Sequence, residues 1–243
     1  LAGHLSEQYL GDPTMPVDLS FAEGRITDTR HPDRSLAFAE ALQIVYLRRI
    51  SLSAAGFYRT PEIGWDRQTG RGRPFFYYAF GMAVSDVLVD VLTGAHTILR
   101  VDIVHDVGDS LNAGIDMGQV EGGFIQGVGW CTTEEIVWDA QGHLLTHSPD
   151  TYKIPTAGDL PEVFNVELLT GVPNPGTIRN SKAVGEPPFM LALSVWFAIR
   201  DALSAIADHD VEPEVALPAT RERILLAAER LRTQHQRATA ASS

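Results

Sequence analysis

The sequence predicts an α+β fold, mixed helices and antiparallel β-hairpins, and three observations carry that reading. Apolar residues recur at helical spacing early in the chain (Leu36, Ala39, Leu42, Val45, Tyr46) and near its end (Ile224, Leu225, Ala228, Leu231). Short β-prone runs come in pairs around turn residues. Residues 87–89 and 99–103 flank Leu92-Thr93-Gly94, and residues 135–138 and 144–146 flank Asp139-Ala140-Gln141-Gly142. This mixture of hairpins and helices argues against a doubly wound parallel sheet.

Taken in order, Leu1, Leu5 and Tyr9 fall at helical spacing with Gly11 beyond, and read as the tail of a helix. Residues 12–34 mix Pro, Asp, Arg and Gly and predict a loop with at most one short strand. A helix is expected over 35–50, an exposed loop over 60–74, and β structure over 75–105. Residues 112–133 return to helical spacing but carry Gly118, Gly122, Gly123, Gly127 and Gly129. Each interior Gly costs a helix about 1 kcal/mol relative to Ala, so this helix needs a reason to exist. Gly118/Gly122 and Gly123/Gly127 are i, i+4 pairs that bare strips of backbone. The pattern alone favours close packing of another helix over contact with a flat cofactor, and leaves both open. A further strand is expected over 165–169. Thr220 then caps the last helix, and 236–243 read as a disordered tail. The folded domain is therefore expected over 1–235, with no internal repeat or linker.

The net charge of −12 over 243 residues and a pI near 5.0 argue against nucleic acid or an anionic membrane surface as partner. The uncharged run 187–199 is too short to span a bilayer, and nothing at the start reads as a signal peptide. The lone Cys131 allows no internal disulfide, which fits a cytoplasmic location. It also cannot hold an iron–sulfur cluster, which takes about four thiolates. Leu1 is not an initiator Met, so a longer or processed polypeptide is expected.

The chemistry-bearing candidate is Glu186. It precedes Pro187-Pro188 and a run without charge until Arg200, which predicts a helix buried on every side. Glu is not a preferred cap, although a carboxylate gains about 0.3–1 kcal/mol at a positive helix end. Chemistry stands slightly ahead of capping here. Lys182 reads as a surface or capping charge, with an electrostatic role toward Glu186 kept open. Arg59 divides between an ion pair and an interface contact. His143 and His147 share an HxxxH spacing on a predicted strand without a third ligand nearby, and read as surface histidines. His105-Asp106 with Ser110 lacks a nucleophile elbow, so a hydrolase triad is disfavoured. Glu134 and Glu135 read as polar junction residues, and no phosphate-binding glycine loop appears.

Five motifs in order resemble the xanthine dehydrogenase/oxidase group of molybdenum hydroxylases. They are Gly56-Phe57-Tyr58-Arg59-Thr60-Pro61, Asp106-Val107-Gly108, Ile115-Asp116-Met117-Gly118-Gln119-Val120-Glu121-Gly122-Gly123, Thr151-Tyr152-Lys153-Ile154-Pro155 and Lys182-Ala183-Val184-Gly185-Glu186-Pro187-Pro188. The resemblance implies the C-terminal part of the molybdenum-cofactor-binding subunit, hydroxylating hypoxanthine and xanthine to urate. It makes Glu186 the general base that activates a hydroxyl on the metal. Gln119 becomes a contact to the molybdopterin-type cofactor, and no residue here is a metal ligand. The substrate-binding residues would lie in a preceding segment of the subunit. Electrons would leave through 2Fe–2S clusters and FAD to NAD on partner chains or segments, so a hetero-oligomer is implied and the chain alone would be inactive. The alternatives are a hydroxylase for aldehydes or other N-heterocycles, or a non-catalytic structural subunit.

Overall fold

A computed structural model describes residues 18–242, which fall into two compact units, Leu1–Arg59 and Thr60–Ser243. The helix tail expected over residues 1–9 lies outside the described residues.

In the first unit, β1 (Leu19–Ala22), β2 (Arg25–Asp28) and β3 (His31–Ala37) form an antiparallel sheet in that order. Over residues 18–34 this corrects the expected loop, and residues 12–17 of that expectation lie outside the described residues. The deciding local signal is Glu23-Gly24, both with positive φ (49° and 70°), which closes Ala22 onto Arg25 as a two-residue hairpin. β3 takes residues 35–37, pairing Leu36 with Ile26, so the following helix α1 is Phe38–Leu47 and shorter than its periodicity suggests. Ile26 and Ala41 form a small core with Leu19 and Leu36 packed against it.

The second unit begins with a short exposed hairpin, β4 (Gly64–Asp66) and β5 (Arg71–Arg73), where the sequence predicts loop. β6 (Gly81–Val89) and β7 (His96–His105) make the expected antiparallel pair, turned by Asp90, whose carbonyl accepts the Gly94 N–H at 2.8 Å. The helix α2 (Ala113–Thr132) follows, and Asn112 caps it by accepting the Ile115 N–H. The second expected hairpin is reduced to a single bridge, Trp138 to Leu144. β8 (Val163–Leu168) joins the sheet parallel to β7, giving the order β6-β7-β8.

One face of this sheet carries the core. Val101 and Ile103 of β7 are buried with Val120, Phe124 and Val128 of α2. Phe124 also meets Phe164 of β8 at 5.6 Å between ring centroids. Pro187–Ala192 forms a tight 3-10 segment that leads into α3 (Leu193–Ser204). Val195, Ile199 and Leu203 are fully buried, whereas Met190 and Phe197 are 62% and 55% exposed. The helix is thus buried on one side, which corrects the all-round burial that its composition predicts. Pro187–Ala207 has the length and hydropathy of a membrane span, but here it packs as a core helix against β6, with Ser85 bonded to Ser194 at 2.7 Å. The last helix, α4 (Arg221–Ser242), buries Ile224, Ala227, Ala228 and Leu231. It continues through residues 236–242, where the sequence predicts a tail.

Candidate functional site

The site forms where the segment 180–192 crosses the glycine face of α2. The crossing works because Gly123 and Gly127 have no side chains. A methyl at Gly123 would stand 3.0 Å from the Gly185 carbonyl oxygen and 3.4 Å from Pro188 Cγ. At Gly127 it would collide with the Phe189 carbonyl and stand 2.7 Å from Ala192 Cβ. This pair therefore serves close packing, as interior glycines commonly do. Phe189 then covers Trp130 edge-on at 4.9 Å between centroids.

Gly118 and Gly122 behave differently. A methyl at either meets nothing within 4 Å, so this pair bares an open strip of helix backbone. Gln119 is exposed beside that strip, and its amide oxygen lies over Gly185, 3.0 Å from where a Cβ would be. Of the two residues singled out in the sequence, Gln119 thus lies against Gly185, the immediate chain neighbour of Glu186.

Glu186 opens the 3-10 segment without capping it: its side chain makes no capping hydrogen bond, and only its backbone carbonyl accepts, from Phe189 N–H at 3.1 Å. Among the described residues its exposed carboxylate has no hydrogen-bond or ion-pair partner. Lys182 does not serve it. The Lys182 ammonium is turned inward onto Asp106 Oδ2 at 2.5 Å, with the two side chains 7% and 1% exposed. The surface-charge reading of Lys182 is corrected accordingly.

The other candidates are dispersed. Among the described residues Arg59 forms no ion pair. His143 is exposed and bonds Asp139 at 2.8 Å, and among the described residues no group of three His, Cys, Asp or Glu could hold a metal. His105 is buried, with its Nδ1 unpartnered, and burial holds its pKa below the ordinary 6.5. Ser110 bonds Asp116 at 2.5 Å rather than His105, so no triad forms. Glu135 pairs with Arg223 at 2.5 Å.

The geometry suits a flat, heteroatom-rich group: bare backbone at Gly118 and Gly122, an amide that can donate and accept at Gln119, and an unpaired carboxylate at Glu186. The chain offers such a group an amide and bare backbone, and no cluster of three metal-ligating side chains occurs among the described residues. A family model described as the molybdopterin cofactor-binding domain matches residues 12–161. The chain belongs to that family. Gln119 lies within the matched stretch and Glu186 beyond it. Xanthine dehydrogenase of Dictyostelium discoideum is 47% identical over 206 residues, covering 82% of this chain and 15% of its own. Xanthine dehydrogenase/oxidase of Gallus gallus is 50% identical over 186 residues, 75% of this chain and 14% of its own. The chain thus spans about 15% of the length of such relatives. Quinoline 2-oxidoreductase from Pseudomonas putida 86 shares the fold with a TM-score of 0.62 at 25% identity, covering 94% of this chain and 27% of that one. The resemblance to the xanthine dehydrogenase/oxidase family and the α+β fold class are both borne out.

Proposed function

We propose that this chain forms part of a molybdenum hydroxylase that oxidises hypoxanthine and xanthine to urate, with Glu186 as general base and Gln119 as cofactor contact. The observation that carries the reading is the Gln119 amide lying over Gly185, the residue next to Glu186, beside an open strip of helix backbone. When bound, the molybdenum cofactor supplies the redox chemistry. Gln119 orients it through its amide, and Gly118 and Gly122 let it approach the helix. Glu186 accepts a proton at a carboxylate oxygen, for which it must be free of competing partners and within hydrogen-bond reach. Pro187 and Pro188 limit the backbone that aims it. Relatives named xanthine dehydrogenase at 47–50% identity support a purine over other N-heterocycles. The remaining substrate contacts, the iron–sulfur clusters and FAD would come from other segments or chains.

The test is urate formation from xanthine by the whole purified assembly, wild type beside Glu186→Gln at matched molybdenum content. A loss of about 100-fold or more is expected on removing a general base. Undiminished turnover in the variant would end the base assignment. A molybdenum-loaded wild type that ignores xanthine would redirect the substrate to aldehydes or other N-heterocycles. A purified assembly without molybdenum would favour a structural subunit.

A further inference from the structure

We infer that Lys182, Asp106 and Tyr77 form a clamp that positions Glu186, an inference that rests on the general-base reading above. Lys182 lies four positions before Glu186, and the hydrogen bonds that hold this short tether are set at its beginning. Lys182 donates from Nζ to Asp106 Oδ2 at 2.5 Å and to the Tyr78 carbonyl at 2.9 Å, and lies 5.3 Å from the Phe80 ring centroid. Asp106 uses its other oxygen, Oδ1, to accept the Gly108 N–H at 2.9 Å. Burying a lysine and an aspartate is costly unless they are paired and bonded; here the ammonium has two acceptors and a ring face, and each carboxylate oxygen has a donor.

The backbone is held as well. Lys182 N–H donates to the Val107 carbonyl at 2.8 Å, Asp109 N–H donates to the Asn180 carbonyl at 3.0 Å, and Ser181 bridges to Gly108. One residue on, the Tyr77 hydroxyl accepts the Ala183 N–H at 2.8 Å. The tether is therefore fixed between the end of β7 and the approach to β6. Beyond it, Gly185 lies under Gln119 and Pro188 is buried against Gly123. Glu186 is exposed between these two fixed ends, with no side-chain hydrogen bond to hold its carboxylate. Its placement is set by the clamp, so Lys182, Asp106 and Tyr77 are positioning residues.

The experiment uses the complete molybdenum-loaded assembly, with xanthine as probe and four forms: wild type, Tyr77→Phe, the paired Lys182→Met/Asp106→Asn, and Glu186→Gln. The paired variant removes both buried charges together, so neither is stranded. Steady-state kinetics across pH are read beside molybdenum content and backbone amide exchange over residues 180–189. Misplacing a reacting group by about 1 Å can cost on the order of 100-fold. The clamp predicts kcat lowered by about 10–100-fold in the paired variant and less in Tyr77→Phe. KM should stay within about threefold, molybdenum content should hold, and exchange at Lys182 and Ala183 should quicken. Wild-type kcat in both clamp variants would overturn the inference, as would faster exchange with no change in kcat. If the paired variant fails to fold, Tyr77→Phe decides alone: unaltered kcat and exchange there overturn the clamp. The Glu186→Gln arm reads the base by itself, so a failure of that reading is seen separately from a failure of the clamp.

Discussion

Gly127→Ala against Gly122→Ala separates the two glycine pairs of α2. At Gly127 the added methyl would collide with the Phe189 carbonyl and sit 2.7 Å from Ala192 Cβ, where ordinary contact begins near 3.4 Å. The 187–192 segment must therefore retreat by at least about 0.7 Å. Overpacking of this kind costs about 1–3 kcal/mol, and Ala returns about 1 kcal/mol of helix propensity. The neighbour struck is backbone rather than a flexible side chain, so the cost lies toward the upper end, and a net loss of about 1–2 kcal/mol is expected. For a cooperative unit of this size that is a fall of roughly 2–8 °C in unfolding midpoint. The same retreat carries Glu186, and turnover should fall with it. At Gly122 the methyl meets nothing within 4 Å, so the cofactor-free protein should gain up to about 1 kcal/mol. Thermal unfolding of both variants in cofactor-free and loaded assemblies is the assay. Gly127→Ala as stable and active as wild type would refute the packing argument, as would equal damage from Gly122→Ala without cofactor.

Two further outcomes follow from burial. Burial lowers the pKa of His105 below 6.5, opposed by the neighbouring Asp106 charge, and His96 is shifted in the same direction. An unfolded histidine titrates near about 6.5, so below that pH the unfolded chain takes up protons that the folded one resists. Stability is then full above about pH 6.5 and is lost as pH falls through the folded values. His105→Leu should flatten the decline in unfolding midpoint between about pH 6.5 and 5, and an unchanged slope would remove His105 as its cause. Cys131 is buried and its thiol is pushed up to about 11. Native protein at about pH 8 should resist iodoacetamide until it is unfolded, and rapid labelling of the native state would contradict the packing of α2.

Much of the second unit is legible in the sequence because its signals are local. α2 follows from its apolar spacing, and β6 and β7 follow from β-prone runs around a turn. The first unit is harder. β2 and β3 are short, with Arg25, Asp28, Asp33 and Arg34 hiding their alternation, and the hairpin loop is Glu23-Gly24 rather than the stronger Asn-Gly. β8 is visible as a strand, but nothing in its residues says that it pairs parallel to β7. Glu186 and Gln119 stand out by motif and by their place on a helix. Asp106 and Tyr77 do not, since they reach Lys182 and Ala183 from 76 and 106 positions away. The two glycine pairs look alike in sequence, and only the path of 185–192 shows that one is filled and the other open.

The buried pair of Lys182 and Asp106 also limits how this chain can change over time. Losing either partner alone strands a charge in the interior, at a cost of about 3–5 kcal/mol, a large share of the margin by which a domain stays folded. Losing both together is far milder. Descendant sequences can leave the pair only by changing both positions at once, or by passing through an intermediate too unstable to persist. The two sites should therefore drift as one character, however freely the surface around them varies.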